Sequence, residues 1–357
     1  MEVTRRKYRL FIFNFSRLSM VHHKEKSMKL LVKNSVILVP LIIVGHLLVY
    51  WVVGKRSIPE MIPRISEAAQ DGLDVVYMGD SCVIDIAPDD VDRRNLAEML
   101  NQRLPQSRVE SVAHYAYHGE LFEGIGHVLA EGSAPPKVVV VPINMRSFSL
   151  IWDQRPEFQF PRVKFLLEHR SPWARITLKP LIVFRYIDTT PVTQREFEAM
   201  PVYVAMEKQG TVRDYDYPLG EHAHEDYFQK QFLYTYAYPL DKKHRKLQGL
   251  LQTIRILREA GIAPVVYITP LDYQSAVRYS GVLLDEQLNK NIQLVLEVFR
   301  EEGVEVIDLS RALDPEAFCY DQYVHEHLDQ RGRLLVVEKV AKAVGQILEN
   351  DAGDEAH

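Results

Sequence analysis

Short runs rich in Val, Ile and Tyr recur at residues 73–79, 108–114, 137–143, 263–269 and 304–308. Between them lie longer stretches in which apolar positions return every three or four residues. A run of this kind suits a buried strand, and the longer period suits an amphipathic helix. Helices are therefore predicted over 89–103 after Pro88, 119–131, 241–260, 286–302 and 330–349. In the 241–260 segment, Asp241 is the expected cap, Leu247, Leu250, Leu251, Ile254 and Leu257 form one apolar face, and Gly261 is the stop. Strands alternating with helices predict an α/β fold with a mainly parallel, doubly wound sheet covered on both faces, a three-layer α/β/α arrangement.

Two stretches break this alternation. From Ser35 to Val53 the chain reads SVILVPLIIVGHLLVYWVV without a formal charge. As a helix it covers roughly 28 Å, close to the hydrocarbon thickness of a bilayer, and Tyr50 and Trp51 sit where amphipathic rings favour the interface. A cleaved signal peptide would want a shorter apolar region and a small-residue cleavage site, which VVGKRS supplies poorly. The second stretch, about 146–240, is an insertion rich in aromatic residues, Arg and Pro. It reads equally as a lid over the strand ends or as a packed subdomain. The expected organisation is thus a tail over 1–34, a transmembrane helix over 35–53, a connector over 54–72 with Pro59 and Pro63, a globular domain over 73–349, and a tail over 350–357.

Charge adds a direction to the span. Residues 1–34 carry nine Lys or Arg against Glu2 and Glu25, a formal +7, while the rest of the chain is at −12. More positive charge before the span than after it predicts a cytoplasmic N-terminus and a domain outside the cytoplasm. The acidic balance of the remainder argues against a nucleic-acid surface. No G-x-G-x-x-G or P-loop follows a predicted strand, so no nucleotide or other cofactor is expected. Two loop histidines, His222 and His224, have no third ligand at a recognisable spacing, and no metal is expected. Cys82 and Cys319 form neither a zinc pattern nor a disulfide framework and are expected as buried free thiols.

The first predicted strand runs into Gly79-Asp80-Ser81 within VVYMGDSCVIDIA. A strand that ends in Gly and presents a Ser at the following turn can place a nucleophilic hydroxyl, although the same tripeptide also makes an ordinary turn. Further candidates follow in order. HYAYHG, ending in Gly119, comes after the second strand. VVVVPINMRSF brings Asn144 after the third. CYDQYVHEHLDQRGR brings Asp321, His325 and His327 before the last helix.

This order resembles the SGNH (GDSL-like) superfamily of esterases and acyltransferases. The resemblance covers about 73–145 and 263–349 and departs from the family where Gly-x-Asn-Asp reads Pro142-Ile143-Asn144-Met145. It implies a flavodoxin-like fold with Ser81 as nucleophile, Asp321 orienting a histidine base, and an oxyanion hole from Ser81, Gly119 and Asn144. For the base it favours His327 over His325, because His327-Leu328-Asp329-Gln330-Arg331-Gly332 matches the family's order, with Leu328 on the core side and Asp329 as the helix cap. Asp321 lies four residues before His325 and six before His327, and neither is the family's usual spacing. By analogy of architecture, a single-pass envelope protein of this kind implies an acylated cell-envelope glycan as substrate and a multi-pass acyltransferase as possible partner. A catalytically inactive binding or assembly component that kept the fold is the alternative.

Overall fold

The computed structural model describes residues 35–45, 59–149, 152, 158–171, 231–233, 235–319 and 326–354. The chain divides into two units, Met1–Ile58 and Pro59–His357. Of the first, residues 35–45 form a helix whose side chains are exposed throughout. No helix among the described residues is long and apolar enough to cross a membrane. The rest of the predicted 35–53 span lies outside them.

The second unit starts earlier than the sequence suggests. Pro59 is followed at once by helix α1, Met61–Ala68, whose Met61, Ile62, Ile65 and Ala68 are buried in the main core. Pro63 sits in the first turn, where no intrahelical N–H is lost, so it does not break the helix. The expected connector is therefore part of the domain from residue 59 onward.

Among the described residues five strands follow: β1 Val75–Gly79, β2 Val109–Ala113, β3 Val138–Ile143, β4 Ala263–Ile268 and β5 Val306–Asp308. Every pairing is parallel, and the order across the sheet is β2-β1-β3-β4-β5. The α/β class and the parallel sheet are as predicted, and this strand order is the flavodoxin-like one. Alternate residues serve opposite faces. Val76, Met78, Val139, Val141, Val266 and Ile268 meet α1, α3 (Gly119–Ala130), α5 (Arg245–Glu259) and α6 (Tyr273–Glu301). Val75, Tyr77, Val138, Val140, Val265 and Tyr267 meet α2 (Leu96–Arg103) and α7 (Gln330–Asp354). Between these, α4 (Pro161–Glu168) belongs to the insertion, and it packs Val163, Phe165, Leu166 and Leu167 into the first core.

Three helix starts differ from expectation for local reasons. Helix α2 begins at Leu96 and not near residue 89, because Asn95 and Glu98 form a reciprocal capping box. Helix α5 begins at Arg245, since the Asp241 carboxylate accepts from Lys243 N at 2.6 Å and so closes a turn before the helix. Helix α6 extends back to Tyr273, capped by Asp272, and is two helices set end to end across Gly281 at φ 66. Both described ends of the insertion are buried, Phe148 and Trp152 at one and Phe232, Tyr236 and Tyr238 at the other.

The order of the sheet reverses between β1 and β3, and ligands in such sheets bind beyond the strand ends at that point. The β1–β3 ladder stops at Tyr77 and Val140, whereas β3 pairs with β4 as far as Ile143 and Ile268. Pro142, which has no N–H to give, lies beyond the last β1 pairing. The residues after β1 and β3 thus meet where the strands separate.

Candidate active site

Gly79 ends β1 for steric reasons. A Cβ there would meet Val83 Cγ2 at 2.2 Å, so the close turn excludes any side chain. Its φ is not in the left-handed region. Asp80 then caps one helical turn, Ser81–Ile84, by accepting from Cys82 N at 2.9 Å. Ser81 is the first residue of that turn and is 5% exposed.

The other half comes from the opposite end of the chain. Phe318 and Leu328 form an antiparallel bridge, Cys319 N donates to His327 O at 3.1 Å, and Asp329 N donates to Ala317 O at 2.9 Å. Leu328 is buried, and the Asp329 carboxylate accepts from Arg331 N and Gly332 N, both at 2.9 Å, which caps α7. Arg333 fixes this corner to the loop after Ser81. Its fully buried guanidinium reaches the Asp90 carboxylate at 2.5 Å, Asp92 O at 2.7 Å and Leu328 O at 3.1 Å. Asp90 also accepts from Gln330 N at 3.0 Å and Ala87 N at 3.2 Å.

These ties bring His327 Nε2 to 2.9 Å from Ser81 Oγ across 246 residues of chain. On the other side of the imidazole, Nδ1 lies 3.4 Å from the Asp85 carboxylate. Asp85 closes the Ser81 turn by donating its N–H to Ser81 O at 2.8 Å, so it stands four residues after the serine. Burial pushes the Asp85 carboxyl up, and a hydrogen bond from the Tyr115 side chain opposes that shift. Asp321 and His325 lie outside the described residues.

Asn144 and Gly119 lie together beside Asp80, and each has a packing role of its own. Asn144 Oδ1 accepts from Arg146 N at 3.0 Å, which caps the short helical turn Met145–Phe148. Its Nδ2 donates to Asp80 at 2.6 Å and approaches Cys82 Sγ at 3.3 Å. The amide therefore ties the end of β3 to the end of β1. Gly119 heads α3 where that helix meets α5, and a Cβ would collide with Lys246 O at 1.9 Å. Asp80, Gly119 and Asn144 nevertheless line one narrow crevice, together with Tyr117, His118 and Ser147.

Behind His327 lies a buried polar group that sequence reading missed. Glu326 is fully buried, with its carboxyl bonded to Thr269 Oγ1 at 2.6 Å, Tyr236 OH at 2.9 Å and Arg146 N at 3.2 Å. Burial pushes its pKa up to about 7, against the pull of the Arg146 guanidinium and the two hydroxyls. The signal available in the sequence was an acid between two histidines in VHEHLD, which says nothing about burial. Asp85 was likewise legible only as an acid after an apolar turn.

The two cysteines are buried and free, Cys82 next to the serine and Cys319 beside the backbone of His327. Burial pushes both thiols up, Cys319 to about 12, so neither is a ready thiolate. Among the described residues no group of three His, Cys, Asp or Glu side chains is placed to hold a metal ion. A serine hydroxyl against an imidazole with a carboxylate beyond it can pass a proton from oxygen to nitrogen and stabilise the imidazolium that results. The sequence matches no protein-family model and, at a significant level, no curated protein.

Proposed function

We propose that the domain is a serine esterase or O-acyltransferase of SGNH type, acting on ester-linked acyl groups. The observation that carries this reading is the 2.9 Å contact between Ser81 Oγ and His327 Nε2 at the sheet's switch point. In the reaction, Oγ attacks the ester carbonyl while His327 takes its proton. The tetrahedral intermediate collapses as His327 returns that proton to the leaving alcohol. Water, or the hydroxyl of an acceptor, then attacks the acyl-serine with the same histidine as base.

Asp85 is the orienting acid in this reading, since its carboxylate faces Nδ1 of the base. The N–H of Ser81, at the start of a helical turn, and the N–H of Gly119, at the head of α3, are the proposed donors to the oxyanion. The exposed apolar helix at 35–45 and the +7 tail before it support an anchored domain outside the cytoplasm. An acylated envelope glycan is the corresponding substrate class, with a multi-pass acyltransferase as the partner that would supply or receive acyl groups.

One observation favours a second reading, a binding or assembly component without catalysis. The Asn144 NH₂ is taken up by Asp80 and Cys82 Sγ, and an oxyanion hole built on that side chain would lack its donor. Fluorophosphonate labelling separates the two, because only an activated serine reacts. Wild-type chain is expected to label, Ser81→Ala not at all, and Asp85→Asn about 10²-fold more slowly. Absence of labelling in the folded wild-type chain would sink the enzyme reading.

A further inference from the structure

The carboxyl of Glu326 gathers three donors from three elements that are far apart in sequence. Arg146 N belongs to the turn after β3, Thr269 Oγ1 to the end of β4, and Tyr236 OH to the segment returning from the insertion. Each donor is itself held. Arg146 N is shared with Asn144 Oδ1, and Thr269 N donates to Ile143 O at 3.0 Å. The segment carrying Tyr236 is fixed by Asn291 Nδ2 on Tyr238 O at 2.7 Å and by Tyr238 OH on Met145 O at 2.5 Å. The next residue after this clamp is His327. Its own carbonyl is bonded to Cys319 N, and its ring reaches Ser81.

We propose that Glu326 is a positioning residue for His327, anchoring its backbone to the ends of β3 and β4 so that the imidazole meets Ser81. This rests on the serine-nucleophile reading above. Leu328, Asp329 and Arg333 fix the chain on the C-terminal side of the histidine, and the Glu326 carboxyl fixes it on the N-terminal side. A carboxyl in this position is costly to bury unless every oxygen is occupied, and here both are. The groups facing it are the Arg146 guanidinium, the Asp80 carboxylate, the Cys82 thiol and the Tyr236 phenol.

A glutamine fits the same site. Its carbonyl can accept from Tyr236 and Arg146 N, and its NH₂ can donate to Thr269 Oγ1, whose hydrogen then turns to Ile143 O at 3.3 Å. An alanine keeps none of these bonds. A displacement of the base by about 1 Å costs on the order of 10²-fold in rate.

The test is the rate of fluorophosphonate labelling of the full-length chain, resolved into binding and inactivation steps across pH 5 to 9. Wild type is expected to show a rate rising through the histidine range, and Ser81→Ala no labelling. Glu326→Gln is expected within about 3-fold of wild type with the same pH limb. Glu326→Ala is expected to lose about 10²-fold in the inactivation step with binding unchanged, and to lose the pH limb. If Glu326→Ala does not fold, Thr269→Val with Tyr236→Phe strips two donors at nearly constant volume, and a fall of about 10-fold is expected. A folded alanine or double variant with wild-type rate and pH limb overturns the positioning role and leaves the serine reading intact. A wild-type chain that does not label overturns both.

Discussion

The two ends of the proposed site are built in opposite ways. The nucleophile end is local: Gly79 through Asp85 supplies the tight turn, the cap, the hydroxyl and the carboxylate within seven consecutive residues. The base end is assembled at long range. His327 is held by Cys319 N, by α7 through Asp329, by the Arg333–Asp90 pair 243 residues apart, and by Glu326 on three further elements. A local device depends on short-range sterics and tolerates changes elsewhere. A long-range one depends on many partners, and its failures should appear first as misplacement of the base.

The largest effect expected is at the base itself. His327→Ala should lose labelling by at least about 10³-fold, since removal of a base acting as a unit with its nucleophile costs that order or more. His325→Ala should retain most of it. The reverse pattern would move the base to His325 and undo the contact on which the comparison rests.

Next in size is the tie between the two ends. Arg333 is fully buried and its partner Asp90 nearly so. Arg333→Met keeps much of the volume but leaves a buried carboxylate without its cation, at a cost of about 3–5 kcal/mol. Thermal unfolding of the full-length chain would measure it. A loss below about 1 kcal/mol would show that the loop after β1 and the start of α7 are held by backbone bonds alone.

The base end should also be the more pH-sensitive. Glu326 is raised from an ordinary 4.5 to about 7, so the folded state holds its proton more tightly than the unfolded chain does. Stability from this group is complete below pH 4.5 and is lost as pH rises through 7, by about 3 kcal/mol in all. Glu326→Gln should flatten that window in denaturation curves taken between pH 4.5 and 8. An unchanged slope would mean that the carboxyl is not the titrating group.

How much of this was legible follows the same division. The five strands, the parallel sheet and the α/β class are written in local hydrophobic runs, and Ser81 is written in a local turn. His327 was placed by the motif around it, His-Leu-Asp followed by a glycine, which is also local: Leu328 buries and Asp329 caps. What composition and spacing did not disclose are pairings made by folding. Asp85 has no such marker, since the family's order points to an acid before the histidine, and Asp321 lies outside the described residues. Asn144 and Gly119 were expected for their donors, yet the clearest reasons for their identity are packing ones, a strand tie to Asp80 and the close crossing of α3 on α5. Nothing in the local sequence marks Glu326 or Arg333 as buried; the helices and strand ends close around them.

The smallest effect probes strain at the nucleophile end. Ala116 sits at φ 61, in the left-handed region, next to Tyr115, whose side chain bonds to Asp85. An L-residue with a Cβ spends about 1–2 kcal/mol in that region. Ala116→Gly relieves this cost, against about 0.4–1 kcal/mol for the added freedom of glycine in the unfolded chain. The net expectation is a gain of about 0.5–1 kcal/mol, or a rise in Tm of about 1–2 °C for a domain of this size. Labelling should not change, because Tyr115 keeps its place and the Ser81–Asp85 turn closes on its own bonds. A lower Tm would show that the Ala116 methyl, buried against its neighbours, contributes more by packing than its backbone loses by strain. A slower labelling rate at unchanged Tm would show instead that the nucleophile end depends on the loop after β2, and is less local than its sequence implies.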